Sequence, residues 1–398
     1  MKRFGAKRVA VFTDQRLSRS EPVSITLQAL GAEGIETAIF DRVRVEPTDV
    51  SFKEAIRFAG DGKFDGFVAV GGGSSIDTAK AANLYSTYPT GFLAYVNPPI
   101  GEGLPVPGAL RPLIAIPTTA GTGSETTGVA VFDLLEMHCK TGIAHRALRP
   151  WMGIIDPHNT RTLPKMVAAC TGFDILSHAL ESLTALPYHQ RSAPANPTLR
   201  PAYQGSNPIS DVWASRAVQM VAENIVRAVE ESNEEARAQM LLAACFAGIG
   251  FGNAGVHLPH GMSYPVSGMV RSYIPEDYPL DHAIIPHGMS VILNAPAVFR
   301  FTAPSNPKRH LYAAELMGVD VSDADPLEAG NLLSSAIATL MRQLGIPNGL
   351  SAVGYTEQDV PKLVAGTLPQ HRVTKLSPRP FNETDLKQLF LESLICWH

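Results

Sequence analysis

A carboxylate and an imidazole occur four residues apart in the segment TGFDILSHALES, as Asp174 and His178. In a helix this spacing puts both side chains on one face, about one turn apart. The neighbouring residues on that face are apolar or small, so the pair is expected in a mostly buried setting, where a lone charge is costly. One interpretation is an Asp–His ion pair in the core, and the other is a pair of metal ligands.

Two further histidines favour the metal interpretation. The tripeptide Pro-His-Gly occurs at His260 and again at His287, which predicts that both imidazoles lie in similar turns at helix starts. One carboxylate and three imidazoles form a donor set that suits Fe(II), Zn(II) or a similar divalent ion. We interpret the nearby His257 and His282 as residues outside the ligand set.

The segment GFVAVGGGSSIDTAK predicts an anion-binding turn. A buried strand ends at Val70, three glycines follow as Gly71, Gly72 and Gly73, and a helix begins at Ser74. Consecutive glycines let a ligand approach the backbone closely, and the amides of a helix start favour an anion such as a pyrophosphate. The segment has neither the Gly-x-Gly-x-x-Gly fingerprint nor the Gly-Lys-Ser/Thr of a P-loop. The alternative is an ordinary tight turn between a strand and a helix.

A second polar loop follows another buried strand, in LIAIPTTAGTGSETTG, and its hydroxyls include Thr118, Thr119 and Thr122. Open α/β sheets bind ligands at the carboxyl ends of their strands, which is where this loop and the glycine turn are expected. The alternative is an ordinary polar loop. Asp14, just after the first strand, could accept hydrogen bonds from a ribose, although a Thr-Asp pair is equally typical of a helix cap.

The elements that must position these residues change in type along the chain. As far as residue 155, short β-branched strands alternate with helices, which predicts βαβ units and a mainly parallel sheet. Beyond that point, helical patterns replace the strands. We therefore predict two domains, an α/β domain over 1–156 and an all-α domain over 157–398. The predicted strands are Arg8–Thr13, Thr37–Phe40, Gly66–Val70, Leu113–Ile116 and Met152–Ile155, and the main predicted helices are Pro22–Leu30, Ser51–Phe58, Pro164–Leu186, Ile209–Glu231, Glu234–Gly248, Pro326–Leu344 and Thr384–Leu394.

The composition excludes several classes of protein. Of the 398 residues, 45% are hydrophobic and 18% are charged, a balance that suits a soluble protein with a large interior and excludes intrinsic disorder. The net charge of −4 comes without a basic stripe, so nucleic-acid binding is not expected. The most apolar stretch, 240–252, is shorter than the roughly 20 residues that a membrane span requires. The cysteines lie far apart, which indicates a reducing compartment.

Several segments together resemble the iron-containing (group III) alcohol dehydrogenase family. They are GGGSSIDTAK, PTTAGTGSETT, GFDILSHALES and the two Pro-His-Gly tripeptides, and the resemblance covers nearly the whole chain. Three further stretches are similar to the hydroxyacid–oxoacid transhydrogenase branch of that family. These are VEPTDVSF, the Pro-rich region around 187–208 and GTLPQHRVTKLSPRP.

The resemblance implies an NAD(P)-binding α/β domain, a helical metal-binding domain and a cleft between them. The implied metal ligands are Asp174, His178, His260 and His287. The implied cofactor contacts are Gly71, Gly72, Gly73 and Ser74 for the pyrophosphate with Asp77 nearby, Thr118, Thr119 and Thr122 for the nicotinamide side, and Lys140 for the ribose. Asp14 matches the family's acidic residue beside the adenine ribose, which favours NAD over NADP because a carboxylate repels a 2′-phosphate.

Two departures from the family pattern stand out. Tyr264 occupies the position at which many members have a further histidine, four residues after the third ligand, so a proton relay through that histidine is not expected. The family's usual strand before the first βαβ unit is also missing, so we expect a chain that is truncated or starts late.

The reaction implied by the resemblance is hydride transfer with a metal acting as Lewis acid on the substrate oxygen. We predict transfer from 4-hydroxybutyrate to 2-oxoglutarate through an NAD that stays bound, with the loop Pro187–Pro208 as a lid that slows cofactor release. Arg191 and Arg200 in this loop are candidates for a clamp on carboxylate substrates. The alternative is that both are solvated loop arginines.

Three rival functions remain open. The first is an iron-type alcohol or 4-hydroxybutyrate dehydrogenase that releases NAD after each turnover. The second is a metal- and NAD-using lyase of the dehydroquinate synthase type, for which a carboxylate-rich metal set would be expected. The third is an inactive scaffold, which the intact ligands and glycine turn argue against. We further expect a homo-oligomer, located in the cytoplasm if bacterial or in the mitochondrial matrix if eukaryotic with its transit peptide removed.

Overall fold

A computed structural model describes residues 1–137, 139–196, 200–278 and 282–398. The chain divides into two compact units, Met1–Thr162 and Leu163–His398. The change in sequence pattern predicts a domain boundary after residue 156. Between the predicted boundary after residue 156 and the observed one after residue 162 lies the short 3-10 turn Pro157–Thr160. Arg161 follows this turn, and its guanidinium pairs with Glu21. This ion pair keeps the turn with the first unit.

The first unit is built around a five-stranded parallel sheet with the strand order β2-β1-β3-β4-β7. Its strands are β1 (Arg8–Phe12), β2 (Glu36–Phe40), β3 (Gly66–Gly71), β4 (Leu113–Pro117) and β7 (Met152–Gly153), and its helices are α1 (Glu21–Ala32), α2 (Asp49–Gly62) and α3 (Gly73–Thr87). Every residue of β3 is buried, as in parallel sheets that are covered on both faces. The chain leaves β1 for β2 on one side and returns to β3 on the other. This reversal is a topological switch point, where open α/β sheets bind ligands.

An antiparallel hairpin, β5 (Val129–Leu134) with β6 (Cys139–Ala144), is missing from the sequence-based prediction. The β6 segment CKTGIA has no regular alternation of apolar and polar residues, so the pattern gives little strand signal. Long-range partners support the hairpin instead. The N–H of Val131 donates to Asp77 Oδ2 at 2.9 Å, and the Lys140 ammonium lies 2.6 Å from Glu46 Oε2.

The second unit is helical in its described part. Its helices are α4 (Lys165–Thr184), α5 (Pro208–Glu230), α6 (Glu234–Ala254), α7 (Leu258–Gly268), α8 (His287–Ile292), α9 (Ala295–Thr302), α10 (Pro307–Leu316), α11 (Ala329–Gln343), α12 (Val360–Thr367), α13 (His371–Thr374) and α14 (Glu383–Ser393). The predicted fold class, a mainly parallel α/β part followed by a helical part, is confirmed. The sequence patterns did not delimit α7 to α10, α12 and α13 because these helices are short, and most have a proline in their first turn.

The length and apolar character of the helices can be compared with those of a membrane-spanning helix. Within the described ranges, no single helix has the length and apolar character to cross a membrane. Only α6 and α7 taken together reach those limits, and the chain bends by 106° between them.

Candidate active site

The predicted metal ligands lie together in the second unit. Asp174 and His178 face the same side of α4, His260 lies in the first turn of α7, and His287 is the first residue of α8. One ligand atom from each lies within 4.8 Å of all the others. Asp174 Oδ1 is 3.7 Å from His178 Nδ1 and 3.8 Å from Nε2 of both His260 and His287. Donors about 2.1 Å from one tetrahedral ion lie about 3.4 Å apart, so a small contraction brings this set around a single cation.

The protonation chemistry of the cluster fits a divalent cation. His178 Nδ1 and His260 Nε2 are buried and have no hydrogen-bond partner among the described residues. Burial, with His260 and His287 nearby, lowers the pKa of His178 well below its usual value. Burial and the charge of Arg372 lower the pKa of His260 to about 3. Neutral imidazoles aimed at a carboxylate are the donors that Fe(II) and Zn(II) bind.

Close helix packing sets the positions of these side chains. A Cβ added to Gly288, the residue after His287, would lie 2.0 Å from the carbonyl oxygen of Cys170 in α4. Only glycine therefore lets α8 approach α4 so closely, which explains the glycine after that histidine. The His178 ring stacks on Phe251 of α6 with a centroid distance of 4.0 Å. The imidazole is thus held in one orientation.

Glu181 is a site residue that the sequence analysis missed. It is fully buried on α4, and its Oε1 lies 2.5 Å from Nδ1 of His260. Its Oε2 accepts the backbone N–H of His257 at 2.6 Å. A carboxylate behind a histidine ligand orients the ring and directs its other nitrogen forward. The available signal was spacing, because Glu181 lies seven residues after Asp174 and so on the same helical face.

We expect Glu181→Gln to weaken metal binding by about 10- to 100-fold, the usual effect of losing such a carboxylate. A glutamine amide presents its NH₂ group either to the His260 ring or to the N–H of His257, and in both orientations two donors face each other. The measurement is metal affinity by chelator competition, together with thermal unfolding of the metal-free protein. Glu223→Gln, at an exposed position of α5, is the matched control. Equal metal affinity in the two variants would contradict the assignment.

In the first unit, the glycine turn and the threonine loop lie against each other. Gly71 ends β3 opposite Pro117 of β4, and Gly73 is the first residue of α3. A Cβ on Gly73 would lie 2.6 Å from Thr122 Cγ2, and one on Gly72 would lie 3.0 Å from Thr119 Oγ1. The two loops therefore share the carboxyl edge of adjacent parallel strands. Thr118 follows β4 directly and donates its N–H to the Gly71 carbonyl at 3.1 Å.

Asp14 and Ser74 lie at the same edge of the sheet. Asp14 follows β1, the neighbour of β3, and its Oδ1 accepts the backbone N–H groups of Arg16 at 2.9 Å and Leu17 at 3.0 Å. Asp14 therefore caps the turn that follows it, as one of the two interpretations predicts. A contact between Asp14 and a ribose stays a prediction. The Ser74 hydroxyl accepts the N–H of Glu46 at 3.3 Å.

The Asp77 carboxylate accepts hydrogen bonds from other residues of the protein. It accepts the Ser124 hydroxyl at 2.5 Å and the Val131 N–H at 2.9 Å. Lys80, fully buried one turn later, donates to Ser124 Oγ at 2.6 Å, and burial lowers its pKa to about 8. Lys80 was not predicted from the sequence, although a lysine within the apolar helix segment TAKAANL is a visible signal. This network ties the loop after β4 and the hairpin to α3.

Lys140, assigned to the ribose by resemblance, lies in β6 and is almost fully buried. Its ammonium is 2.6 Å from Glu46 Oε2 and 3.0 Å from Asp133 Oδ1. The ribose contact stays a prediction.

The two loop arginines differ in setting. Arg191 Nη1 donates to the main-chain carbonyl of Tyr203, whereas Arg200 is exposed. Residues 197–199 of the same loop lie outside the described residues. The proposed clamp on a carboxylate therefore stays a prediction for both side chains.

Tyr264, which departs from the family pattern, has a partner of its own. Its hydroxyl accepts Nη2–H of Arg372 at 2.6 Å, and its ring centroid lies 6.5 Å from that of His287. A tyrosine–arginine pair thus occupies the region beside the third and fourth predicted ligands.

Family models match both parts of the chain. The model described as iron-containing alcohol dehydrogenase matches residues 1–157, and that of the C-terminal part of the Fe-containing alcohol dehydrogenase family matches 202–394. The chain belongs to the iron-containing alcohol dehydrogenase family. It is therefore an oxidoreductase, and the resemblance inferred from its motifs is confirmed.

Similar proteins include several mitochondrial hydroxyacid-oxoacid transhydrogenases. The one from Bos taurus is 56% identical over 393 residues, which cover 98% of this chain and 84% of that protein. The one from Homo sapiens is 55% identical over 397 residues, covering 99% and 85%. A probable member from Dictyostelium discoideum is 55% identical over 404 residues, covering 98% and 74%. The similarity to the transhydrogenase branch is confirmed.

Solved structures share the fold. A 1,3-propanediol oxidoreductase superposes with a TM-score of 0.85 at 29% identity, covering 98% of this chain and 93% of that one. An iron-containing alcohol dehydrogenase from Thermococcus thioreducens has a TM-score of 0.81 at 26% identity, covering 99% and 94%.

Proposed function

We propose that this protein is a hydroxyacid–oxoacid transhydrogenase that moves hydride from 4-hydroxybutyrate to 2-oxoglutarate through an NAD that stays bound. The observation that carries the proposal is the largely buried cluster of one carboxylate and three imidazoles, whose ligand atoms lie within 4.8 Å of one another. This cluster lies in a chain that is 55–56% identical to transhydrogenases along almost its whole length. The lyase alternative predicts a carboxylate-rich metal set. This cluster has a single carboxylate, which argues against that alternative.

Asp174, His178, His260 and His287 would hold one Fe(II), with Zn(II) as the alternative ion for this set of nitrogen and oxygen donors. A divalent cation bound there supplies Lewis acidity, which polarises the oxygen of the alcohol or carbonyl group. Mass spectrometry of the metals and small molecules released from the purified, unsupplemented protein tests this. Stoichiometric iron together with NAD is the expected result, and protein that retains no divalent metal would contradict the site.

The residues of the first unit would bind the cofactor, whose nicotinamide carries the hydride. The backbone amides of Gly72, Gly73 and Ser74, at the start of α3, would hold the pyrophosphate. Thr118, Thr119 and Thr122 follow the adjacent strand and would line the nicotinamide side. Asp77 would lie near the pyrophosphate and hold the loop and the hairpin in position, and Lys140 would lie near the ribose while its ammonium pairs with Glu46 and Asp133.

We expect Asp14→Gly to improve the use of NADP relative to NAD by about tenfold. Removal of the carboxylate relieves its repulsion of the 2′-phosphate, and a charge interaction of about 1.4 kcal/mol corresponds to that factor. The measurement is kcat/KM for each cofactor with an uncharged alcohol, on protein from which bound cofactor has been removed. Asp14→Asn provides the comparison, because its amide can still accept the two N–H groups of the turn and only the charge is lost. An unchanged preference in both variants would show that another residue sets it.

The reaction has two halves that use the same site. In the first, the hydroxyacid loses a hydride to NAD and its hydroxyl proton to solvent, and an aldehyde acid forms. In the second, the oxoacid takes the hydride and a proton and becomes a hydroxyacid. Retention of the reduced cofactor between the halves distinguishes a transhydrogenase from a dehydrogenase, and a lid formed by the loop Pro187–Pro208 would slow cofactor release.

The decisive experiment supplies 4-hydroxybutyrate and 2-oxoglutarate without added cofactor. Succinic semialdehyde and 2-hydroxyglutarate are the expected products, formed in equal amounts and over many turnovers. If product forms only with free NAD, and NADH accumulates in solution, the protein is a dehydrogenase of the same family instead.

Two further properties belong to the proposal. The protein would act in the mitochondrial matrix if its source is eukaryotic, as the names of its relatives suggest, and in the cytoplasm if the source is bacterial. It would form a homo-oligomer, which light scattering during size-exclusion chromatography tests directly.

A further inference from the structure

Arg372 lies beside the metal cluster on a helix that the sequence patterns did not delimit. Its helix, α13, packs on α7, and a Cβ added to Gly261 would lie 2.5 Å from Thr374 Cγ2. Gly261 is the glycine that follows His260. The glycine therefore lets α13 approach the helix that carries the third ligand.

The Arg372 guanidinium has one group without a protein partner. Nη2 donates to the Tyr264 hydroxyl at 2.6 Å, and the guanidinium carbon lies 5.2 Å from the centroid of the Tyr203 ring. Nη1 is buried and has no hydrogen-bond partner in the described part of the chain. The groups that raise the pKa of Arg372 are the phenols of Tyr203 and Tyr264, and no carboxylate of the described residues is among them. A cationic group whose Nη1 is buried without a partner is costly, so this position calls for an anionic ligand.

The guanidinium is also close to the cluster. The Tyr264 ring, which it contacts, lies 6.5 Å from the His287 ring. The charge of Arg372 contributes, after burial, to the lowered pKa of His260. A molecule whose oxygen lies at the cluster could therefore place an anionic group a few atoms away at Arg372.

We propose that Arg372 binds the carboxylate of the hydroxyacid and oxoacid substrates, with the Tyr264 hydroxyl as the second donor. Because the hydroxyl accepts its hydrogen bond from Nη2, its own proton stays available to a carboxylate oxygen. Nη1–H and the tyrosine O–H then supply one hydrogen bond to each carboxylate oxygen, and the guanidinium charge strengthens the binding. This assignment rests on the proposed function, because it concerns the substrates of that same site.

Arg191 acquires a different role from the one its position in the loop suggests. Its Nη1 donates to the carbonyl of Tyr203, whose ring lies against Arg372. Arg191 is then a positioning residue for the aromatic ring that packs against the guanidinium.

The test compares kcat/KM for 4-hydroxybutyrate and for 1,4-butanediol, in which an uncharged CH₂OH replaces the carboxylate. We expect Arg372→Met to lose about 100-fold or more on the acid, as for a truncated partner of a desolvated charge pair, and only a few-fold on the diol. Arg372→Lys should recover part of the loss. Arg379→Met is the matched control, because Arg379 also stacks on a ring, that of Phe301, and donates to its carbonyl at 2.8 Å.

A second variant and a binding measurement keep the test decisive if Arg372→Met folds poorly. Tyr264→Phe keeps the ring and removes one donor, and we expect a five- to tenfold loss on the acid alone. Binding of 4-hydroxybutyrate to the metal-free protein, measured by calorimetry, should weaken in both variants. Equal losses on acid and diol, or a loss of acid selectivity that follows Arg200 instead of Arg372, would overturn the assignment. A wild-type protein that oxidises the diol but not the acid would refute the proposed function, and the calorimetry would still test the carboxylate site.

Discussion

We expect His260→Ala to remove the metal and the activity together. The variant loses one of the four donors, and it leaves the buried carboxylate of Glu181 without the imidazole that lies 2.5 Å away. Without the Lewis acid, the transition state loses several kcal/mol of stabilisation, which corresponds to about a thousandfold lower kcat/KM. The measurements are metal content by mass spectrometry and initial rates with saturating metal in the buffer. We expect substoichiometric metal even under those conditions.

His257→Gln is the control for this prediction. His257 is buried three residues before His260, and its Nε2 lies 2.9 Å from Thr184 Oγ1. Its ring is outside the cluster, and glutamine can keep a hydrogen bond to the threonine. We expect metal content near that of the wild type and rates within a few-fold. Full metal content and activity in His260→Ala, or equal losses in both variants, would rule out the four-ligand assignment.

Gly73→Val should weaken NAD binding by about 100-fold and leave the metal content unchanged. A Cβ at this position would lie 2.6 Å from Thr122 Cγ2, so the glycine turn and the threonine loop must separate. Overpacking of this kind costs roughly 1–3 kcal/mol, and a 100-fold change in affinity corresponds to about 2.7 kcal/mol. The predicted ligands lie in the other unit, so the metal should be retained.

NAD affinity is measured by calorimetry on protein from which bound cofactor has been removed. Gly60→Val is the matched control, because Gly60 is an exposed residue of α2 with no atom within 4 Å of an added Cβ. If Gly73→Val binds NAD as tightly as the Gly60 variant, the pyrophosphate does not lie on this turn.

Periodicity and strand ends predicted the parts of the site that lie close together in sequence. The four-residue spacing of Asp174 and His178 dictates a shared helical face wherever the helix packs. A buried strand that runs into three glycines likewise predicts a turn before a helix, and the structure has Gly71 at the end of β3 and Gly73 at the start of α3. These features follow from backbone geometry over a few residues, so no knowledge of distant contacts was needed.

Other features depend on partners far apart in the chain. Glu181 lies on the predicted face, but its role follows from His260, 79 residues later. Tyr264 and Arg372 are separated by 108 residues, and their contact requires α13 to pack on α7. Strand β6 has little strand signal of its own, and the hairpin β5–β6 gains support from the contacts of Val131 with Asp77 and of Lys140 with Glu46. Which buried charge meets which partner depends on how the helices and strands pack, because burial in a low dielectric makes an unpaired group costly and a paired one stable. Spacing along one element carries no information about that pairing.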